Sequence, residues 1–346
     1  MKILFAIQAT GNGHLSRARE VIPFLQQHGE LDIMVSGSDA EVSLPYAVKY
    51  RKHGLGFTFG SKGGVNYWST FKKLKPLRLL QDIRSFPIEK YDVVINDYEA
   101  ITAWACQMKD KPCIALSHQS SFSSRLMPRP AKKDLAVELL LKYYAPFTGA
   151  VALHFSNYDN FVHTPIIRSE IRQLESVDKG HCTVYLPAFH DKLLLPILKQ
   201  VKDVEWHVFT KHSKQPYTSG NVKVKPINNE AYVKSLATCN GLVSGGGFEG
   251  PAEAMFLRKK LFVIPQKGQY EQQCNAAALD LMGVPMVHQM GPGFATTLTK
   301  WLNQSKPIEV NYPDQTEMLV AKAVQMAMNS ANTNSGNGYK SASSGL

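Results

Sequence analysis

The sequence predicts an α/β protein made of two doubly wound, Rossmann-like domains facing one another across a cleft. Three observations predict it. Short, nearly continuous apolar runs recur along the chain, each followed by an amphipathic stretch, as buried parallel strands alternate with helices. This alternation loosens once, around "HTPIIRSEIRQLESVDKG" (163–180), and then restarts. Each half also carries one glycine-rich strand-to-helix turn, the place where open parallel sheets bind ligands. A chain of 346 residues is long enough for two cores of ordinary size.

The elements follow in order. "KILFAIQA" reads as a buried first strand. "MKILFAI" is too short and lacks a following cleavage-like site for a signal peptide. "HLSRAREVIPFLQQHG" is a helix closed at Gly29, and "LDIMVSG" the second strand. "YDVVINDYEA" is a later strand ending in acids, with the helical "ITAWACQMKD" behind it. "KPCIALSHQ" and "GAVALHFSN" complete the first domain, residues 1–165. The second domain, 166–328, starts with the strand "HCTVYLPAF" and the helix "DKLLLPILKQV", despite its proline. The strands "VEWHVFTKH", "VKVKPIN" and "NGLVSGGG" follow. Then come the helix "GPAEAMFLRKK", the strand "LFVIPQ" and the helix "YEQQCNAAALDLMG". A closing helix is expected over 313–328 from its apolar spacing. The Ser-, Asn- and Gly-rich stretch 329–346 is expected to be disordered.

Composition narrows the function classes. No apolar stretch approaches the roughly 20 residues that span a bilayer. Cys106, Cys113, Cys182, Cys239 and Cys274 form no C-x-x-C pair and no metal-ligand spacing, which favours reduced thiols and a cytoplasmic protein. The net charge is +11, concentrated between Lys49 and Lys90, where ten Lys or Arg face only Asp82 and Glu89. There "YWSTFKKLKPLR" mixes aromatics with Lys72, Lys73, Lys75 and Arg78. Such a patch suits an anionic membrane face, a polyanionic substrate or simple solvation. No nucleic-acid motif accompanies it, and nucleic acid is not an expected partner.

Two constellations carry chemistry. In "FAIQATGNGHLSRARE" Gly11 and Gly13 permit close approach to the backbone, and the helix start behind them favours negative charge. His14 sits in the first helical turn. Asp97 ends "DVVIND", whose carboxyl end opens onto the same sheet edge, so it can fix the tautomer of His14 and raise its basicity. Glu99 competes for that role and is an acceptor-side candidate. The second constellation is "SGGGFEGPAEAMFLRKKLFVIPQKGQYEQQCNA" (244–276). Its glycine run presents backbone amides suited to a diphosphate. Glu253 follows in the next helix, then Glu271, Gln272 and Asn275, which suit sugar and ribose hydroxyls. "LSHQSSFSSR" places His118 and Gln119 on the acceptor side or in a polar loop. Arg168 reads as a phosphate ligand or a hinge ion pair.

These motifs resemble those of inverting glycosyltransferases of the GT-B fold, similar to glycosyltransferase family 28, the lipid II-forming N-acetylglucosaminyltransferase and the UDP-glycosyltransferases. The resemblance runs from G-x-G-H to G-G…E-A…P…(D/E)-Q-x-x-N-A. It implies His14 as general base with Asp97 as its partner. It also implies Glu253 on the ribose, Glu271 and Gln272 on the donor sugar, and Gly245, Gly246 and Gly247 along the diphosphate. Ser244 stands near where the glucosyltransferases carry a histidine, and Glu271 replaces their aspartate. The implied activity is transfer from a nucleotide sugar, with uridine the commonest base, to an unidentified and potentially lipid-linked hydroxyl. The lipid-linked case would place the protein at the inner membrane face, with the basic region 49–90 against it. No Asp-x-Asp triplet occurs, so this reading calls for no metal and no cofactor. The same turn also resembles that of nucleotide-sugar hydrolases, and a non-catalytic nucleotide-sugar-binding protein would carry the same residues. A 2-epimerase of this fold needs acidic catalytic residues not evident here.

Overall fold

The computed structural model describes residues 1–37, 44–53 and 76–337. Seven strands form the first sheet: β1 (Lys2–Gln8), β2 (Glu30–Ser36), β3 (Tyr50–Lys52), β4 (Val93–Asp97), β5 (Ile114–Ser117), β6 (Gly149–Leu153) and β7 (Val162–His163). Their order is β3-β2-β1-β4-β5-β6-β7, with every pairing parallel. Six strands form the second sheet: β8 (His181–Tyr185), β9 (Glu205–Thr210), β10 (Tyr217–Ser219), β11 (Val222–Pro226), β12 (Gly241–Ser244) and β13 (Lys260–Val263). Their order is β10-β11-β9-β8-β12-β13, and only the edge strand β10 runs antiparallel.

Burial explains the strands. Residues Ile3 to Ile7 of β1 and all of β4 are covered on both faces. That is why they read as unbroken apolar runs rather than alternating ones. Strand order reverses between β1 and β4 in the first sheet and between β8 and β12 in the second. At such a switch point the connecting helices diverge to opposite faces and leave a crevice at the carboxyl ends. β1 leads into the turn Gly11–His14, β4 ends at Asp97, and β12 ends at Ser244. Both glycine turns therefore stand at the crevices.

The closing helix departs from expectation. It spans Thr316–Asn337 and packs on the first domain, against the helix Asn12–Gln27 and strands β4, β5 and β6. Leu319, Val320, Ala323, Val324 and Ala327 form its buried stripe. Ahead of it, Tyr312 Oη donates to Phe155 O at 3.0 Å and Gln315 Nε2 to Thr164 Oγ1 at 2.7 Å. The segment 313–328 thus returns to the first domain rather than finishing the second. The helix also continues to residue 337, into the stretch expected to be disordered, because extending a formed helix fixes one residue per added hydrogen bond. Residues 338–346 lie outside the described residues.

Lys72, Lys73 and Lys75 of the basic region also lie outside the described residues. Within the described part, Lys49 Nζ pairs with Asp32 at 2.6 Å and Lys52 Nζ with Asp82 at 2.6 Å, so two of its cations are neutralised. All five cysteines are free and buried. Among the described residues no helix is long and apolar enough to cross a membrane.

Candidate active site

The first crevice holds a buried charge network. His14 Nδ1 lies 2.9 Å from Asp97 Oδ1. Arg17, three residues on and therefore on the same helix face, donates from Nη2 to Asp97 Oδ1 at 2.7 Å and Oδ2 at 2.9 Å. From Nη1 it donates to Glu249 of the second domain. Sequence reasoning passed over Arg17 and Glu249. The one available signal was a basic residue one turn beyond His14.

Burial opposes a positive charge on the His14 imidazole, but the field and hydrogen bond of Asp97 outweigh it and hold its pKa above 6.5. Burial would raise the Asp97 pKa; Arg17 and His14 overcome that and hold it below the usual carboxylate value. With Nδ1–H donated to the carboxylate, the lone pair of His14 sits on Nε2. The Gln119 side-chain amide lies 3.4 Å from that atom and donates to Glu271 Oε1 at 3.1 Å. Gln119 and Glu271, predicted from separate motifs, thus meet beside Nε2 of His14.

A local strain follows Asp97 in the chain. Tyr98 takes φ 57°, a left-handed conformation unusual for a non-glycine residue. The turn sends the next side chain away from the crevice. Glu99 is fully buried and caps the helix Ala100–Met108, accepting from the amides of Ile101 at 2.9 Å and Thr102 at 2.7 Å. Its expected competition with Asp97 and its acceptor-side placement are corrected: it is a helix cap.

Between the domains lies a cavity of about 300 Å³. Gly11, Gly13 and Ser16 line one wall; Ser244, Gly245, Gly247, Glu249, Glu253 and Gln272 line the other. Tyr185, Phe209, Ile227 and Tyr232 form an apolar end, and the buried Tyr232 hydroxyl has no hydrogen-bond partner among the described residues. Glu253 is held by Arg168, Nε to Oε1 at 2.5 Å and Nη2 to Oε2 at 2.8 Å, so Arg168 is an ion-pair residue in the interdomain stretch. Burial raises the Glu253 pKa, and Arg168 only partly offsets it.

Three expected donor contacts lie elsewhere. Gly246 does not line the cavity. A Cβ there would stand 2.3 Å from the Gln272 carbonyl oxygen, so its glycine serves helix packing. Asn275 is fully buried behind the loop, donating to Gly246 O at 2.9 Å, with Oδ1 2.9 Å from His118 Nε2. His118 is itself buried and stacks on Phe248 at 4.0 Å; burial pushes its pKa down to about 3. His118 and Asn275 therefore join the two domains rather than face a ligand. Gln272 does line the cavity, but its Oε1 accepts from the amides of Gly246 at 3.2 Å and Gln266 at 2.9 Å and clamps the loop. Glu271 does not line this cavity either and stands on the His14 side.

A second cavity, about 320 Å³, opens in the first domain with Gln119 among its lining residues. Asn96, Tyr98, Ser117, Phe122, Leu141 and Tyr143 contribute to its lining. Among the described residues no group of three His, Cys, Asp or Glu side chains is arranged to hold a metal ion.

Comparison with known proteins agrees with this architecture. Acinetobacter baumannii MurG shares 14% identity over 96% of this chain and 97% of its own, with a TM-score of 0.50. Phytolacca americana UGT2, solved with UDP-2fluoro-glucose and pterostilbene, shares 14% identity over 98% of each chain, with a TM-score of 0.56. Arabidopsis thaliana UGT89C1, solved with UDP, shares 13% over 94% of each, with a TM-score of 0.55. At this identity the likeness is one of fold, the GT-B arrangement of two facing α/β domains. No curated protein matches in sequence. The model of glycosyl transferase family 1 matches residues 1–292, and the chain belongs to that family of glycosyltransferases.

Proposed function

We propose that the protein transfers a hexosyl group from a nucleoside diphosphate sugar, with UDP as the nucleotide, to an acceptor hydroxyl with inversion at the anomeric carbon. The observation that carries this reading is the His14–Asp97 pair beside a glycine-lined interdomain cavity, with Nε2 of His14 next to a Gln119 amide that itself bonds Glu271. UDP or a UDP-sugar analogue accompanies two of the structures of like fold, which is the ground for naming it.

In this reading the acceptor oxygen attacks the anomeric carbon from the first-domain side. Its O–H bond breaks, and the proton passes to His14 Nε2 while Asp97 stabilises the imidazolium that forms. The bond from the anomeric carbon to the diphosphate breaks with its electron pair on the phosphate oxygen. In this reading the backbone of Gly245 and Gly247, which lines the cavity, and the start of the helix Glu249–Phe256 face that developing charge. The aromatic end at Phe209 and Tyr232 suits a nucleobase. The first-domain cavity that Gln119 helps to line suits an acceptor with an apolar part, which favours transfer over hydrolysis. No metal or other cofactor has a part in this scheme.

The test is release of nucleoside diphosphate from a panel of nucleotide sugars, with and without an extract of lipids and small molecules as acceptor source. Release that needs the extract and vanishes in His14→Ala supports the transferase. Equal release without extract makes the protein a hydrolase. Donor binding with no release from any donor makes it a binding protein.

A further inference from the structure

The helix Asn12–Gln27 begins with no negative charge of its own. Its N-cap is Gly11, which offers no side-chain hydrogen bond, and its first turn holds no acidic residue. The start of a helix of this length presents unpaired amides and a partial positive charge. The anion that meets this end comes from the other domain. A Cβ on Gly13 would lie 2.3 Å from Glu249 Oε2, so the carboxylate rests directly on the first turn, and a side chain there would have to push it aside. Its other oxygen, Oε1, accepts from Arg17 Nη1. Arg17 is 3% exposed, and its Nε, unlike its terminal nitrogens, has no hydrogen-bond partner among the described residues. Glu249 also opens the helix Glu249–Phe256, immediately after the glycine turn, and faces the interdomain cavity.

Its carboxylate therefore stands where two helix starts, one arginine and two glycine turns converge. That is an anion site assembled from both domains, and it is filled by one of the protein's own side chains. A diphosphate cannot share it with a carboxylate, since like charges at contact repel strongly inside a protein.

We infer that Glu249 is an internal stand-in for the donor's diphosphate: the incoming phosphates displace its carboxylate and take over Arg17. The inference rests on the nucleoside diphosphate reading above and adds a residue that sets donor affinity. While Glu249 holds the site, the empty protein keeps its two domains joined and the Arg17 charge matched. When the donor enters, Arg17 exchanges one anion for another and keeps its bonds to Asp97. The contact with His14 is thus undisturbed, while the released carboxylate swings toward solvent, to which its side chain is already 24% exposed. The cost of displacing Glu249 makes the site selective for ligands carrying more than one negative charge.

The experiment is calorimetric titration of the full chain with UDP and, separately, with uridine. Glu249→Gln is expected to tighten UDP about tenfold by removing the competing charge, and to leave uridine unchanged. Arg17→Lys is expected to weaken UDP and spare uridine. Should Glu249→Gln fail to fold, as judged by its melting curve, Glu249→Asp withdraws the carboxylate by one methylene and carries the same sign at smaller size. Unchanged or weaker UDP binding in the folded Glu249 variant overturns the inference, as does an equal gain for uridine. Either result leaves the donor reading intact if the wild type binds UDP. A wild type that binds neither UDP nor any nucleotide sugar overturns both.

Discussion

The two glycine turns, Gly11–Gly13 and Gly245–Gly247, look alike in sequence and use their glycines differently. At Gly11 and Gly247 nothing lies within 4 Å of the point where a Cβ would stand, and both residues line the interdomain cavity. There glycine keeps ligand space open. At Gly246 the Gln272 carbonyl oxygen comes within 2.3 Å of that point, and at Gly13 the Glu249 carboxylate does so. There glycine admits another part of the protein. The surroundings differ as well. The first turn gathers a half-buried His14 with the buried Arg17 and Asp97, whereas the second presents backbone and the clamped Gln272, with the carboxylates of Glu249 and Glu253 behind it. A glycine motif thus marks close approach without saying what approaches. The titratable company of the first turn is what marks it for proton chemistry.

This division can be broken by substitution. The largest effect is expected at His14: His14→Ala should lower turnover roughly 10²–10⁴-fold, the usual worth of a general base, read as nucleoside diphosphate release. Asp97→Asn should lower it less, by about 10²-fold, and should also move the pH profile. A base works as neutral imidazole, so wild-type kcat/KM should rise with pH through a His14 pKa above 6.5. Removing the Asp97 charge, the main group raising that pKa, should shift the limb to lower pH.

The same pair predicts stability. Asp97, held low when folded, contributes above its unfolded pKa, and that contribution fades as pH falls through its depressed folded value. His14, held high, contributes fully below about 6.5, and that share fades as pH rises through its folded value. Thermal melts across acid and neutral pH check both limbs.

The second turn separates by position. Gly247→Ala should weaken UDP about tenfold and leave the melting temperature within about a degree, since its added methyl meets only cavity. Gly246→Ala should cost about 1–3 kcal/mol of stability, because the helix start at Gln272 must shift. The smallest effect belongs to Glu99→Gln, which keeps one cap acceptor and should lower stability by about 1 kcal/mol without changing the pH profile of turnover. A changed profile would return Glu99 to the proton chemistry.

Much of the fold was legible because buried parallel strands must be apolar on both faces: β1, β4, β5, β8 and β12 stand where their runs predict. The short edge strands β3, β7 and β10 were missed, being too brief or too polar to show a pattern. The closing helix was recognised, but its return to the first domain was not, since its apolar stripe says only that it packs, not on what. His14 and Asp97 were legible because each ends or follows a strand at the same carboxyl edge. Gln119 was found as a polar residue after β5, though its position between His14 and Glu271 depends on how the domains meet. Arg17, Glu249 and Tyr232 were illegible for that same reason. An arginine in a helix and a glutamate after a glycine turn are ordinary surface residues until two domains bring them together. Asn275 and His118, which looked like ligand-facing polar residues, are partners of each other across that interface.

In the proposed reaction the first turn supplies the base, and the second turn carries the larger share of donor binding. The most direct test measures UDP binding and donor turnover side by side in His14→Ala and Gly247→Ala. The account predicts that His14→Ala binds UDP as the wild type does and turns over little. It predicts that Gly247→Ala binds UDP weakly yet turns over near the wild-type rate when the donor saturates. Loss of UDP binding in His14→Ala with turnover retained at saturation, or the reverse pattern in Gly247→Ala, would contradict it.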